Sequence, residues 1–258
     1  MTNVSIKREQ LTHFLNETLK PHEFQDYGPN GLQIEGKEEI SRIAFSVSAT
    51  QESINESIKN SADALIVHHG LFWSFHGVRT LTGPFAKRVL PITRHHINLY
   101  GYHLPLDAHP EIGNAASLAN LIGLSIDGPF GDYKGSPTGI KGHFSQPLMV
   151  SELKAKCEKI LEHNVILSSP NLKAKISNMG IITGGANGGW FDAFQEGLDS
   201  YLTGEISEHD WHDAKEAGVH MLAGGHNATE KFGIQSLMRK VKNKFNVECI
   251  FIDSLNPA

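Results

Sequence analysis

The sequence contains little cysteine and no long apolar run. Only two of its 258 residues are cysteine, too few for a disulfide framework, which favours a reducing, cytoplasmic setting. No apolar stretch approaches the roughly 20 residues of a membrane-spanning helix. Segment 5–10 is polar where a signal peptide would have its apolar core. We therefore expect a cytoplasmic protein with no membrane partner.

Positive charge is also scarce. The chain has 23 Lys and Arg against 28 Asp and Glu, a formal net charge of −5, and no Lys/Arg run. Direct binding of nucleic acid is therefore not expected, because it depends on clustered positive charge. Histidine, in contrast, is abundant, with 15 residues. Since histidine is the commonest metal ligand, the positions of these residues direct the search for a site.

Apolar runs alternate with amphipathic segments along the first half of the chain. The predicted elements are helix 5–20, strand 32–35, strand 43–48, a helix opening at Thr50, strand 63–67, helix 84–96, strand 97–100 and helix 114–124. Strand 43–48, the helix after it and strand 63–67 form a β-α-β unit, which predicts a parallel sheet. Pro91 is expected to kink or split its helix.

Glycine, proline, serine and aspartate become frequent at 125–145, where we place a boundary. The elements predicted after it are helix 151–163, strand 164–168, strand 177–182, helix 189–196, strand 199–203, helix 207–217, strand 219–223, helix 227–244 and strand 247–252. The sequence thus predicts an α/β protein of two lobes, 1–126 and 127–258, with largely parallel sheets flanked by helices.

Two adjacent histidines, His68 and His69, end strand 63–67 and precede Gly70. Ligands bind at the carboxyl ends of strands in open α/β sheets. Adjacent side chains on a strand point to opposite faces, so this pair could serve two neighbouring metals but not readily one. The alternative is that both histidines simply begin a polar loop.

Further potential ligands follow other predicted strands. His103 and Asp107 are four residues apart in a segment that the Leu104-Pro105 pair should keep extended or looped. His226 and Glu230 lie at i and i+4 after Gly224-Gly225, the spacing by which a helix presents two ligands to one metal. That pair could instead be an ordinary surface contact. Imidazole and carboxylate together suit Zn, Fe or Mn.

A glycine-rich segment, Thr183-Gly-Gly-Ala-Asn-Gly-Gly-Trp190, connects a predicted strand to a predicted helix. It is neither a P-loop nor a dinucleotide-binding fingerprint. We interpret it first as a close-packing turn and second as a contact for phosphate through backbone N–H groups.

Several short motifs together resemble the NGG-interacting-factor-three-like family, many of whose members are labelled GTP cyclohydrolase I type 2 homologues. The motifs are Asn30-Gly-Leu-Gln, Val67-His-His-Gly, His103-x-x-x-Asp107, Thr203-Gly-Glu and Gly225-His-Asn-Ala-Thr-Glu230. The resemblance covers essentially the whole chain, in the short bacterial form. It implies two interlinked α/β lobes, a dinuclear metal site between the lobes, and a homo-oligomer, commonly a hexamer built as a trimer of dimers.

The resemblance also implies a ligand set. It places two divalent cations, Zn, Fe or Mn, on His68, His69, Asp107, His226 and Glu230. His103 is implied either as a further ligand or as a residue that orients Asp107.

Two classes of function follow. The first is a metal-dependent hydrolase acting on a nucleotide or another small phosphorylated or cyclic substrate, in which the metals activate water. Glu205 and His209, which follow a predicted strand end and lie near the ligand set but outside it, are then the candidate catalytic acid/base groups. The second is a non-catalytic metal carrier, or a regulatory scaffold that acts through its oligomeric ring. Glu205 could also be a structural residue that favours the start of the following helix.

Overall fold

The computed structural model describes residues 4–258. Its strands are β1 Ile6–Lys7, β2 Gly31–Ile34, β3 Glu39–Ile40, β4 Arg42–Ser48, β5 Ala64–His69, β6 Asn98–Gly101, β7 Ser125–Tyr133, β8 Ser136–Met149, β9 Ile166–Ser168, β10 Lys175–Ile181, β11 Ser200–Thr203, β12 His220–Ala223 and β13 Glu248–Phe251. Its helices are α1 Arg8–Leu19, α2 Gln51–Lys59, α3 Gly83–Arg94, α4 Leu104–Asp107, α5 Asn114–Ile122, α6 Val150–Leu161, α7 Trp190–Gln195, α8 Glu208–Glu216 and α9 His226–Phe245. The predicted α/β class is confirmed.

The first of two compact units comprises residues 4–106 and Ile234–Ser254. Its main sheet has the order β13-β4-β5-β6-β2, with β2 antiparallel to β6 and the other pairs parallel. Ile54 of α2 and Phe85 of α3 pack with Leu65 on one face of the sheet. The neighbouring residue Ile66 is also fully buried. Because successive strand residues point to opposite faces, the sheet is covered on both sides.

The second unit comprises residues Asp107–Gly233 and Leu255–Ala258. Its sheet has the order β7-β8-β10-β11-β12-β9, with β10, β11 and β12 parallel. Consecutive residues of β11 pack on opposite faces of this sheet. Leu202 belongs to an apolar cluster with α5 and α6, whereas Tyr201 belongs to another cluster with α7 and α8. This sheet is therefore also buried on both faces, which leaves its strand ends as the place for polar side chains.

The structure divides the chain differently from the predicted boundary at 126/127. That position lies inside β7, which pairs with β8 in a long antiparallel hairpin of the second unit. In addition, β13 joins the first sheet beside β4, although the sequence placed it in the second lobe. The divisions between the units fall instead inside α4, inside α9 and between Ser254 and Leu255.

Two prolines behave differently from expectation. The helix that contains Pro91 runs without interruption from Gly83 to Arg94, so the predicted split is wrong. The segment after His103 forms the one-turn helix α4 and is not extended or looped. Pro105 is its second residue, and the first turn of a helix leaves its N–H groups without intrahelical acceptors, so proline costs little there.

Among the described helices, none combines the length and the apolar character needed to cross a membrane.

Candidate functional site

Three histidines converge in the first unit, at the carboxyl ends of two adjacent parallel strands. His68 and His69 end β5, and His103 follows β6 after Tyr102. One ring nitrogen from each lies within 4.8 Å of one from each of the others. His68 is fully buried and His69 partly so. The structure therefore brings together three of the residues that the sequence predicted as ligands.

The Nδ1 atom of each of these imidazoles faces a hydrogen-bonding partner. It lies 3.0 Å from the Tyr102 carbonyl oxygen in His68 and 2.7 Å from Asp26 Oδ1 in His103. In His69 it lies 2.9 Å from Ser48 Oγ. A carbonyl oxygen only accepts, so His68 must donate from Nδ1, and its neutral ring then carries the lone pair on Nε2. Partners of this kind typically fix the ring orientation and tautomer of metal-binding histidines.

The Asp26 carboxylate, which contacts His103, is itself held by hydrogen bonds from other groups. Its Oδ2 accepts hydrogen bonds from Asn30 Nδ2 at 2.8 Å and from the Leu104 amide at 2.9 Å. Burial by itself would raise the pKa of Asp26, but the hydrogen bonds and charge of His103, with the Asn30 and Leu104 bonds, lower it to about 2. Asp26 is therefore a carboxylate at neutral pH and favours a positive charge beside it.

The sequence did not assign a role to Asp26 or to Gln33. Gln33 Oε1 accepts a hydrogen bond from the Leu71 amide at 2.9 Å, which holds the chain just after the two histidines. A Cβ atom on Gly70 or Gly101 would lie within 2.6 Å of the Gln33 amide group. Those two glycines thus let Gln33 lie across both strand ends. The Asn30-Gly-Leu-Gln motif was the signal available in the sequence.

Two buried carboxylates lie close together in the second unit. A carboxylate oxygen of Asp107 is within 4.8 Å of one of Glu230, and the two residues are 9% and 3% exposed. Asp107 Oδ1 accepts a hydrogen bond from Asn114 Nδ2 at 2.8 Å, and Thr183 Oγ1 lies 3.4 Å away. Buried like charges at this separation favour a cation between or beside them.

His226 lies between two carboxylates at the start of α9. Its Nδ1 is 2.6 Å from Glu205 Oε1, and its Nε2 is 3.3 Å from Glu230 Oε1. Burial alone would lower the pKa of His226, but the hydrogen bonds and charges of Glu230 and Glu205 raise it to about 9. The imidazole therefore holds a proton at neutral pH. A divalent cation at Nε2 would have to displace that proton.

The glycine-rich segment 183–190 packs against the start of α9 at Glu230, as expected for a close-packing turn. Gly184 has a φ of +70°, and a Cβ there would lie 2.1 Å from Glu230 Oε1. Its amide donates a hydrogen bond to Thr229 Oγ1 at 3.1 Å, and its carbonyl accepts one from the Gly204 amide at 2.9 Å. The segment is thus a close-packing turn that brings backbone up to α9 at the level of Glu230.

The second interpretation, a phosphate contact, finds little support beyond the turn. Residues 185–189 of the segment line a cleft of about 490 Å³ together with Asp132, Asp192 and Asp210. These three aspartates make the lining acidic, and burial, followed by the charges of Glu196 and Asp132, raises the pKa of Asp192. Such a lining disfavours an anion.

His209 lines this same cleft, and its side chain is 72% exposed. Its Nε2 lies 3.6 Å from Asp210 Oδ1. Glu205, the other predicted catalytic group, instead contacts His226 Nδ1 directly. The acid/base roles proposed for both residues stay predictions, but the structure gives Glu205 a second role, that of orienting His226.

The donor chemistry of these residues fits divalent cations. In four histidines, His68, His69, His103 and His226, Nδ1 faces a carbonyl, hydroxyl or carboxylate oxygen. With Nδ1 engaged in this way, Nε2 is the nitrogen that would bind a metal. Asp107 and Glu230 add carboxylate oxygens. Imidazole nitrogen with carboxylate oxygen is a ligand mixture that binds Zn, Fe or Mn. The residues are those of an α/β protein with candidate metal ligands in each of its two units.

Comparison with known proteins gives the family. The family model described as Duf34/NIF3 (NGG1p interacting factor 3) matches residues 6–257. A GTP cyclohydrolase 1 type 2 homolog of Neisseria meningitidis is 40% identical over 254 residues, which are 98% of this chain and 99% of that protein. One of Pyrococcus abyssi is 39% identical, over 96% of this chain and 98% of its own length. The chain belongs to the Duf34/NIF3 family, which confirms the resemblance seen in its motifs.

Solved structures agree on the fold. A protein described as ybgI, of unknown function, superposes with a TM-score of 0.92 at 37% identity, covering 98% of this chain and all of that one. A protein of Thermus thermophilus gives a TM-score of 0.87 at 27% identity, with the same coverage.

Proposed function

We propose that this protein binds two divalent cations through His68, His69, Asp107, His226 and Glu230, with His103 as a further ligand. The observation that carries the proposal is the shared arrangement of the histidines. Each has Nδ1 beside an oxygen, the arrangement in which metal-binding histidines coordinate through Nε2, although they come from three different segments. His143, His163 and His220 also have Nδ1 beside an oxygen. What distinguishes His68, His69 and His103 is that one ring nitrogen of each lies within 4.8 Å of those of the other two.

We further propose a metal-dependent hydrolase whose substrate is a nucleotide or another small phosphorylated or cyclic molecule. The name of the relatives, GTP cyclohydrolase 1 type 2 homolog, supports a substrate resembling GTP. Two bound divalent cations would activate water and stabilise negative charge that develops during hydrolysis. The chain supplies the rest of the chemistry through its own side chains.

The residues around the proposed ligands have distinct tasks. Asp26 and Ser48 orient His103 and His69, while the Tyr102 carbonyl orients His68. Glu205 orients His226 and is 47% exposed, so it can also exchange a proton with solvent or substrate. His209, exposed in the neighbouring cleft of the second unit, is the second candidate for proton transfer.

Metal analysis tests the ligand set. The purified protein should hold about two divalent metals per chain, and His68→Ala, Asp107→Ala and Glu230→Ala should each lower that content. His13→Ala is the matched control, since His13 is an exposed histidine of α1. Full metal content in all three variants, measured by elemental analysis on folded protein, would contradict the site.

A hydrolysis assay then separates the enzyme from the carrier. The enzyme should release product from GTP only when metal is bound, and the metal-binding variants should lose that activity. A carrier should hydrolyse nothing in a broad panel of nucleotides and esters, and it should yield its metal to a competing apoprotein. The second outcome would retain the metal site and overturn the hydrolase.

A further inference from the structure

A pocket lined by aromatic side chains lies in the first unit beside the histidine cluster. Its volume is about 380 Å³, and Tyr27, Phe72, Trp73 and Phe85 contribute its rings. Arg79 is the single cationic side chain in its lining, among the described residues. Neither the sequence motifs nor the proposed ligand set accounts for these residues, so the pocket needs an explanation of its own.

The wall of the pocket is held in place by hydrogen bonds and close packing. Trp73 Nε1 donates to the Gly70 carbonyl at 3.0 Å, and the Ser74 amide donates to the Tyr27 carbonyl at 2.7 Å. A Cβ on Gly28 would lie 2.2 Å from the Phe72 carbonyl oxygen, so only glycine allows the two segments to approach this closely. A wall fixed in this way is preorganised for a ligand.

Trp73, which lines the pocket, also lies beside two of the candidate metal ligands. The Trp73 ring lies 5.1 Å from the His103 ring, perpendicular to it, and 6.0 Å from the His69 ring. Tyr27 also lies 6.0 Å from His103. A molecule seated here would therefore have one end close to the histidines at the strand ends.

Ring stacking and charge identify the kind of molecule. Aromatic side chains bind planar rings by stacking, with little dependence on ring identity. Arg79 has its guanidinium carbon 4.0 Å from the centre of the Phe85 ring and its Nη1 3.2 Å from His76 Nδ1, which positions a positive charge at the pocket. The other charged residue in the lining, Asp26, has its carboxylate engaged with His103 and is almost fully buried.

We infer that this pocket binds the planar heteroaromatic part of an anionic substrate, with Arg79 contacting a negatively charged group. The inference rests on the proposed function and narrows its substrate class to aromatic anions such as nucleotides. Stacking on Trp73 holds the ring, and Arg79 distinguishes a charged ligand from its neutral counterpart.

The test compares GTP with guanosine as probes of the full-length protein, by quenching of tryptophan fluorescence. Trp73→Ala should weaken GTP binding by roughly tenfold or more, and Trp73→Phe should retain most of it, since a phenyl ring still stacks. Arg79→Ala should weaken GTP binding by roughly tenfold and leave guanosine binding unchanged. Calorimetry replaces fluorescence for the Trp73 variants, because they remove the reporter.

Arg88→Ala is the matched control, because Arg88 is an exposed arginine of α3 that does not line the pocket. It should bind both probes as the wild type does. Equal loss of GTP binding in the Arg88 and Arg79 variants, or unchanged GTP binding in Arg79→Ala, would overturn the inference. Metal content is measured on the same samples. Metal-dependent GTP hydrolysis that is unaffected by Trp73→Ala and Arg79→Ala would refute the pocket alone, whereas full GTP binding by protein that takes up no metal would refute the metal site alone.

Discussion

Carboxylates beside the proposed ligands decide where two of the imidazoles point. Asp26 contacts His103, and Glu205 contacts His226, each at Nδ1 and within 2.7 Å. In metal sites such partners raise ligand basicity and hold one ring orientation, and their loss typically costs about 10–100-fold in metal affinity or activity. The structure therefore gives Glu205 a role that its position in the sequence did not reveal.

Replacing Glu205 should weaken metal binding. In Glu205→Gln the side-chain amide keeps a hydrogen-bonding oxygen but loses the charge, so we expect roughly a tenfold lower metal affinity. Competition with a chelator measures it. Glu208→Gln serves as the control, because Glu208 is an exposed neighbour in α8 whose side chain contacts His212. Unchanged affinity with reduced turnover would instead favour acid/base catalysis by Glu205.

The sequence points to the proposed ligands more directly than to the residues that hold them in place. His226 and Glu230 are four residues apart on one helix, and His68 and His69 are adjacent, so short-range spacing reveals both pairs. Asp26 lies 77 residues from His103 in the chain, and no local pattern connects them. The pairing of β2 with β6 brings the two segments together.

At the scale of elements, the loop that follows β10 shows how a turn supports a helix. Gly184 approaches Glu230 closely with a left-handed φ, whereas Gly188, in the same loop, has nothing within 4 Å of an added Cβ. The loop thus contains glycines that packing requires, Gly184 and Gly189, and one that it does not, Gly188.

Substituting Gly184 and Gly188 should separate the effects. Gly184→Ala should lower the free energy of unfolding by at least about 1–2 kcal/mol, because of the positive φ, and should lower metal content by displacing Glu230. Gly188→Ala should change stability by less than about 0.5 kcal/mol. Urea unfolding and elemental analysis measure both quantities. Equal behaviour of the two variants would contradict the packing role of Gly184.

Most helices and strands could be predicted because their apolar residues recur with the period of the element. The parallel strands β10, β11 and β12 are short apolar runs between glycines and helices, and their predicted bounds lie within two residues of those observed. The hairpin of β7 and β8 escaped prediction. Most β7 residues are exposed, and its Gly, Pro and Asp content is typical of a loop, so its ladder with β8 leaves little trace in the sequence.

At the scale of the whole molecule, the first unit is discontinuous in the chain. It takes residues 4–106 and then the segment Ile234–Ser254, so that the intervening residues form most of the second unit. Periodicity cannot show this arrangement, because it identifies β13 as a strand without indicating its sheet. Cys249 pairs with Ile43 in the parallel ladder of β13 and β4, a long-range contact that the local sequence does not indicate.

The family resemblance leads us to expect a hexamer in solution. Phe191 and Phe194 of α7 are each 48% exposed, with ring centres 6.2 Å apart, and exposed apolar patches commonly mark protein contacts. Light scattering coupled to gel filtration should report the mass of about six chains of 28.4 kDa. A monomer across micromolar concentrations would contradict this expectation.

The position of β13 has a consequence for synthesis on the ribosome. Strand β4 is flanked by β5 on one side and by β13 on the other, and β13 follows every other strand of this sheet in the chain. While the chain emerges, one edge of β4 remains without its partner until Glu248–Phe251 has been made, after all of the second unit's strands. An open strand edge is a site for pairing with another nascent chain. The last strand of this sheet to be synthesised therefore covers the edge of β4, beside the strand β5 that carries His68 and His69.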